Sequence, residues 1–82
     1  MKKTESLQYR YRIELVTMAD IQKFVGIATR CQGKLLLCSG KSFQINAQSM
    51  LGVVLAKKLD WNELTLVTEY DYYQEFEAFI VE

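Results

Sequence analysis

The sequence predicts an α+β fold: a two-layer open-faced sandwich in which a four-stranded antiparallel sheet carries three helices on one face. Three observations predict it. Stretches with period-two alternation and stretches with three- and four-residue apolar spacing follow one another in the order strand, helix, strand, strand, helix, strand, helix. The third and fourth of these elements are short strand-like runs separated by Ser39-Gly40, a pairing that suits a tight antiparallel hairpin. The first strand is polar on one side, so one face of the sheet meets water.

From Tyr9 to Leu15 the chain alternates, with Tyr9, Tyr11, Ile13 and Leu15 on one face and Arg10, Arg12 and Glu14 on the other. The period then lengthens. Met18, Ile21, Phe24, Val25, Ala28 and Cys31 make the apolar stripe of an amphipathic helix that Gly33 stops. Its entry reads "TMAD", where Thr17 can cap a free amide and Asp20 favours the positive end of the helix dipole. "KLLLC" and "KSFQIN" are the hairpin strands, the second with Phe43 and Ile45 on one side. "SMLGVVLAKKLD" is a short helix entered at Ser49, with Met50, Val53, Val54 and Leu59 roughly at helical spacing. Gly52 weakens that helix by about 1 kcal/mol relative to alanine, which points to a close neighbour or a turn kept short. "NELTLVTE" is a strand with Leu64 and Leu66 toward the core and Val67 on the opposite face. In "DYYQEFEAFIVE" Asp71 is the expected cap, Gln74 its box partner, and Tyr73, Phe76 and Ile80 fall on one side of a third helix.

Composition narrows the function. An 82-residue chain that is half hydrophobic makes one domain, residues 1–82, around a single apolar layer, with Met1 to Ser6 reading as a frayed polar end. Ten basic and ten acidic residues cancel, so no long-range field draws in nucleic acid or an anionic membrane, and protein partners are expected instead. The apolar runs fall far short of the roughly 20 residues that cross a bilayer, and "MKKTESLQYR" lacks the apolar core of a signal peptide, so the expected location is the cytoplasm. Cys31 and Cys38, in a chain without histidine, have neither zinc spacing nor zinc partners and read as buried free thiols. No metal or cofactor is expected. No P-loop, nucleophile-base pair or metal cluster is visible either, so no catalytic residues are assigned and the chain does not read as an enzyme. The aromatics of "YDYYQEF" lie among Glu69, Asp71, Glu75 and Glu77, which argues for core and capping roles rather than a base-stacking platform.

The segment "SGKSFQINAQSMLGVVLAKKLDWNELTLVTE" resembles the second half of HPr, the phosphocarrier of the bacterial sugar phosphotransferase system, in which a "GK" hairpin leads to an "N-x-KS-x-x-G" segment and a helix. Gly40, Lys41, Asn46, Ser49, Gly52 and the strand from Glu63 to Val67 carry the likeness, and the order of elements agrees along the chain. The entry to the first helix departs from the family. HPr has "GxHARPA" there, whose histidine accepts phosphate from enzyme I and whose arginine helps neutralise it; here Thr17 and Ala19 occupy those positions. A threonine hydroxyl has no nitrogen nucleophile that titrates near neutral pH, so the resemblance implies a member that cannot relay phosphate.

It is similar in this respect to the catabolite-repression type of HPr, which lacks the histidine and keeps a serine phosphorylated by HPr kinase/phosphorylase. By that likeness Ser49 is the regulatory phosphorylation candidate, although Gln48 replaces the family's lysine. Met50, Leu51 and Val54 align with the apolar patch that docks on phosphotransferase components or a transcriptional regulator. The residues themselves also allow plainer roles: Ser49 as a helix N-cap, and Met50, Leu51 and Val54 as core packing. The β-α-β-β-α-β core further fits ferredoxin-like modules of the ACT type, which sense small ligands, and a diverged structural module remains a third reading.

Overall fold

The computed structural model describes residues 9–40, 43–58 and 63–81. The elements come in the expected order: β1 Tyr9–Ile13, α1 Met18–Arg30, β2 Leu35–Ser39, β3 Phe43–Asn46, α2 Met50–Lys58, β4 Leu64–Thr68 and α3 Tyr73–Phe76, then a 3-10 turn, Glu77–Phe79. The strands form one antiparallel sheet in the order β1-β4-β2-β3, which puts β4 and β2 in the middle.

Register sorts the strand residues onto two faces. Tyr11, Leu66, Leu37 and Ile45 form one row across the sheet, on the side that α1, α2, α3 and the 3-10 turn cover with Ile21, Phe24, Val25, Val53, Phe76 and Phe79. The opposite face is open, with rows Arg10, Val67, Leu36, Asn46 and Arg12, Thr65, Cys38, Gln44. Val67 blurs the alternation of β4, and its position explains why: it is only 3% exposed on the open face, between Arg10 and Leu36, and stands outside the core cluster. The aliphatic stem of an arginine can shield such a neighbour.

The helix entries follow their sequence signals unevenly. Thr17 caps α1 through a complete capping box: its hydroxyl accepts the Asp20 N–H (3.1 Å) while the Asp20 carboxylate accepts the N–H groups of Val16 and Thr17 (3.0 and 3.2 Å). Those amide bonds, Val16 first, hold the Asp20 carboxyl below its usual range. Ile21, Phe24, Val25 and Ala28 are buried as expected, whereas Met18 points to solvent and Cys31 is the half-buried C-cap. Gly33, with φ +79°, lets the chain turn into β2 where any Cβ would run into the Glu69 side chain.

Gly26 lies within α1 with open space beside it, the nearest atom to an added Cβ being the Arg30 guanidinium at 4.0 Å. Gly26→Ala is therefore expected to raise stability by about 1 kcal/mol through helix propensity. Thermal unfolding should register a Tm about 4–8 °C higher; an unchanged or lower Tm would count against the open geometry.

Three expectations are corrected. Ser39 is not a turn residue but the last of β2, paired with Phe43, so the connection starts at Gly40 (φ +66°). Lys41 lies outside the described residues, as do Leu59 and the amino-terminal Met1 to Ser6. The third helix is also shorter than its apolar spacing implies. It ends at Phe76, the 3-10 turn buries Phe79, and Ile80 is extended and bridged to Ile13. Asp71 is not its cap, because that place falls to Tyr72, which makes no side-chain cap bond, and no box with Gln74 forms. The Asp71 carboxylate instead accepts the Tyr73 N–H (3.1 Å) and the Tyr11 hydroxyl (2.8 Å), which hold its carboxyl below the usual range.

Candidate functional site

The segment Asn46 to Leu55 runs from the end of β3 into α2 and contains the phosphorylation candidate Ser49 and the docking candidates Met50, Leu51 and Val54. Asn46 starts the turn: its Oδ1 accepts the Gln48 N–H (2.9 Å) and its carbonyl accepts the Ser49 N–H (3.0 Å). The Ser49 hydroxyl accepts the Gly52 N–H at 3.0 Å, which makes it the N-cap of α2. Gly52 has the close neighbours that its presence suggested, for an added Cβ would lie 3.3 Å from the Ser49 Oγ and 3.5 Å from Ile45 Cδ1.

Gln48 does something its sequence position does not announce. Its Nε2 donates to two carbonyls at the end of α1, Ala28 at 2.8 Å and Cys31 at 3.1 Å. Both N–H bonds of the carboxamide are thereby used, and the start of α2 is tied to the carbonyl end of α1. A second tie reaches the same region. The Tyr72 hydroxyl accepts the Gln32 N–H (2.9 Å) and donates to the Gln32 carbonyl (3.0 Å). Neighbouring Tyr11 accepts the Tyr72 N–H at 3.0 Å.

These ties fix how the candidate positions lie. Thr17 and Ser49 do not come together: Ser49 follows Gln48 at the carboxyl end of α1, and Thr17 is at the other end, about 16–21 Å away along an axis that rises about 1.5 Å per residue. Thr17 spends its hydroxyl on the capping box, and Ala19 is an exposed residue of the first turn. Met50 and Leu51 stand beside Ser49 and are 40% and 80% exposed, so core packing does not account for them. Val54 is half-buried against the core. Leu55, which the sequence reading passed over, is 53% exposed, and its i, i+4 spacing from Leu51 was the available signal.

The cysteines are free and half-buried rather than buried, Cys31 at the end of α1 and Cys38 on the open face. Burial pushes both thiols above their usual range, away from the reactive thiolate. Among the described residues no cluster of histidine, cysteine and carboxylate side chains could hold a metal ion, and no helix is long and apolar enough to cross a membrane.

Fold and site together define an α+β open-faced sandwich with a capped helix entry and an exposed apolar helix face. No protein-family model, curated protein or solved structure matches the chain.

Proposed function

We propose that the protein is an HPr-like regulatory or adaptor module of the bacterial sugar phosphotransferase system, acting in the cytoplasm by docking to other proteins and not by passing phosphate through a histidine. The observation that carries this reading is the contiguity of a serine hydroxyl at the α2 entry with the exposed Met50 and Leu51. An apolar helix face left on the surface fits a partner contact, and the adaptable side chains of methionine and leucine suit docking on more than one surface. Val54, half-buried, supports that face from below. The partners proposed are phosphotransferase components, HPr kinase/phosphorylase or a transcriptional regulator.

Ser49 is the proposed switch. A phosphate there meets the free amides and positive dipole end of α2, although the Gly52 cap bond must first be given up and the carbonyl end of α1 lies one residue away. The strand order supports the HPr-like reading over the ACT-type one, since a ferredoxin-like sheet has its first and third strands in the middle and this one has β4 and β2.

The test follows intact mass after incubation with phosphoenolpyruvate plus enzyme I, and separately with ATP plus HPr kinase/phosphorylase. Phosphorylation in the second reaction alone, lost in Ser49→Ala, is the expected result. No mass gain in either reaction would sink the phosphoacceptor role. An amino-acid-dependent rise in Tm would favour a small-ligand sensor instead.

A further inference from the structure

The two edges of the sheet are treated differently. Along β1 the chain after the 3-10 turn adds a short stretch of pairing, with the Glu14 N–H on the Phe79 carbonyl (2.9 Å) and the Val81 N–H on the Arg12 carbonyl (2.8 Å). Arg10 charges the remainder of that edge. Covering and charging are the usual ways to stop strand edges from pairing with other chains. Among the described residues no strand lies beyond β3, and Gln44, Ile45 and Asn46 are uncharged; the turn that follows reaches this edge only at Asn46, whose carbonyl and Oδ1 accept the Ser49 and Gln48 N–H groups.

The ladder shows which groups face outward. The Ala47 N–H donates to the Leu35 carbonyl at 2.8 Å, so the odd-numbered residues bond to β2 and the even-numbered ones turn their backbone groups away. Gln44 N–H and C=O and Asn46 N–H therefore point outward, together with the Asn46 carbonyl, one lone pair of which holds the Ser49 N–H. Side chains alternate the other way. Ile45 lies on the helical face beside Gly52, while Gln44 and Asn46 lie on the open face. Leu55, one turn beyond Gly52 on the same side of α2, is exposed as well.

We infer that the β3 edge is a docking site for a second copy of this chain, the two β3 strands pairing antiparallel about a two-fold axis at Ile45. In that register Gln44 exchanges both backbone hydrogen bonds with Asn46 of the partner subunit, and the symmetric pair does the same. Ile45 then meets its counterpart as a non-hydrogen-bonded pair, where side chains approach closest. The edge is self-complementary in chemistry as well as in backbone. The described residues of the edge carry no charge to repel their copy, and a carboxamide is both donor and acceptor: the Asn46 Oδ1 accepts the Gln48 N–H, which leaves its amino group as the donor for the carboxamide oxygen of Gln44 of the partner subunit. An interface of one short strand and part of a helix face is small, so the dimer forms and dissociates readily with concentration.

The test is the mass of the full chain in solution, by light scattering from micromolar to millimolar concentration, with amide hydrogen exchange of Gln44 and Asn46 over the same range. A doubling of mass accompanied by slower exchange at those two amides is expected. Gln44→Pro removes an N–H that β2 does not use, at the kind of outward edge position where a strand tolerates proline; it should remain monomeric with unchanged circular dichroism. Gln44→Lys, which keeps the N–H but charges both copies, should also remain monomeric and carries the test if the proline variant does not fold. Wild-type mass that never rises, exchange at Gln44 and Asn46 that does not slow, or a dimer that persists in the variants would each overturn the inference.

Discussion

Phe24→Ala is expected to cost about 3–5 kcal/mol, the range for truncating a fully buried phenylalanine. Phe24 is inaccessible to solvent and sits at the meeting point of α1 with the chain's last elements. Its ring centroid is 5.2 Å from that of Phe76 in α3, tilted at 48°, and 5.9 Å from that of Phe79 in the 3-10 turn, nearly perpendicular at 89°. Truncation opens a cavity against the two remaining rings, Phe76 and Phe79, that the short α3 cannot collapse to fill. At about 0.05–0.15 kcal/mol per residue, a chain of 82 residues has roughly 4–12 kcal/mol in total, so the loss takes a quarter or more of it.

Urea unfolding measures the effect, and a double-mutant cycle separates ring geometry from buried area. Phe24→Leu and Phe76→Leu keep most of the volume and lose the ring pair. Combined, they should depart from additivity by about 0.5–1.5 kcal/mol. Additivity within about 0.5 kcal/mol would mean that the rings act only as apolar bulk.

The elements that were legible in the sequence owe it to local chemistry. Thr17 and Asp20 announce α1 because a capping box needs only residues three apart, and Gly33 marks where α1 hands over to β2 because the turn has a positive φ and no room for a Cβ. Ser49 was legible as a cap for the same reason. What was missed depends on distant partners. Tyr73, Phe76 and Ile80 have helical spacing, but Ile80 is drawn into extended pairing with Ile13 at the far end of the chain, which overrides the local pattern. Asp71 looked like a cap and was claimed by Tyr11 across 60 residues. Met18 fits the apolar stripe of α1 yet is exposed in its first turn, where local pattern alone does not show whether a core residue of the sheet covers it. Gln48 is the furthest from view, since its partners are main-chain carbonyls, which every residue has.

Gln48 carries the other large expected effect. Gln48→Ala removes two hydrogen bonds to the end of α1 and should cost about 1–3 kcal/mol, according to how well water replaces the amide at the Ala28 and Cys31 carbonyls. Gln48→Glu should cost more. Its carboxylate has no donor to offer those carbonyls and brings negative charge to the negative end of the α1 dipole. That environment raises the folded-state pKa of the new carboxyl above its unfolded value. The penalty is thus full at neutral pH and shrinks as the pH falls through that raised pKa towards the ordinary glutamate value of about 4.3. Gln48→Lys should come within about 1 kcal/mol of the wild type, because an ammonium supplies donors and favours a helix carboxyl end. The order in urea midpoints is then glutamine, lysine, alanine, glutamate, and equal midpoints for lysine and glutamate would rule out the clamp. Because Gln48→Lys keeps the clamp while introducing the residue that HPr proteins carry before their serine, it also separates folding from recognition under the proposed function. Faster phosphorylation of Ser49 by HPr kinase/phosphorylase in that variant, at unchanged stability, would assign the lysine to kinase contact and make Gln48 the residue that trades modification for a firmer joint between α1 and α2.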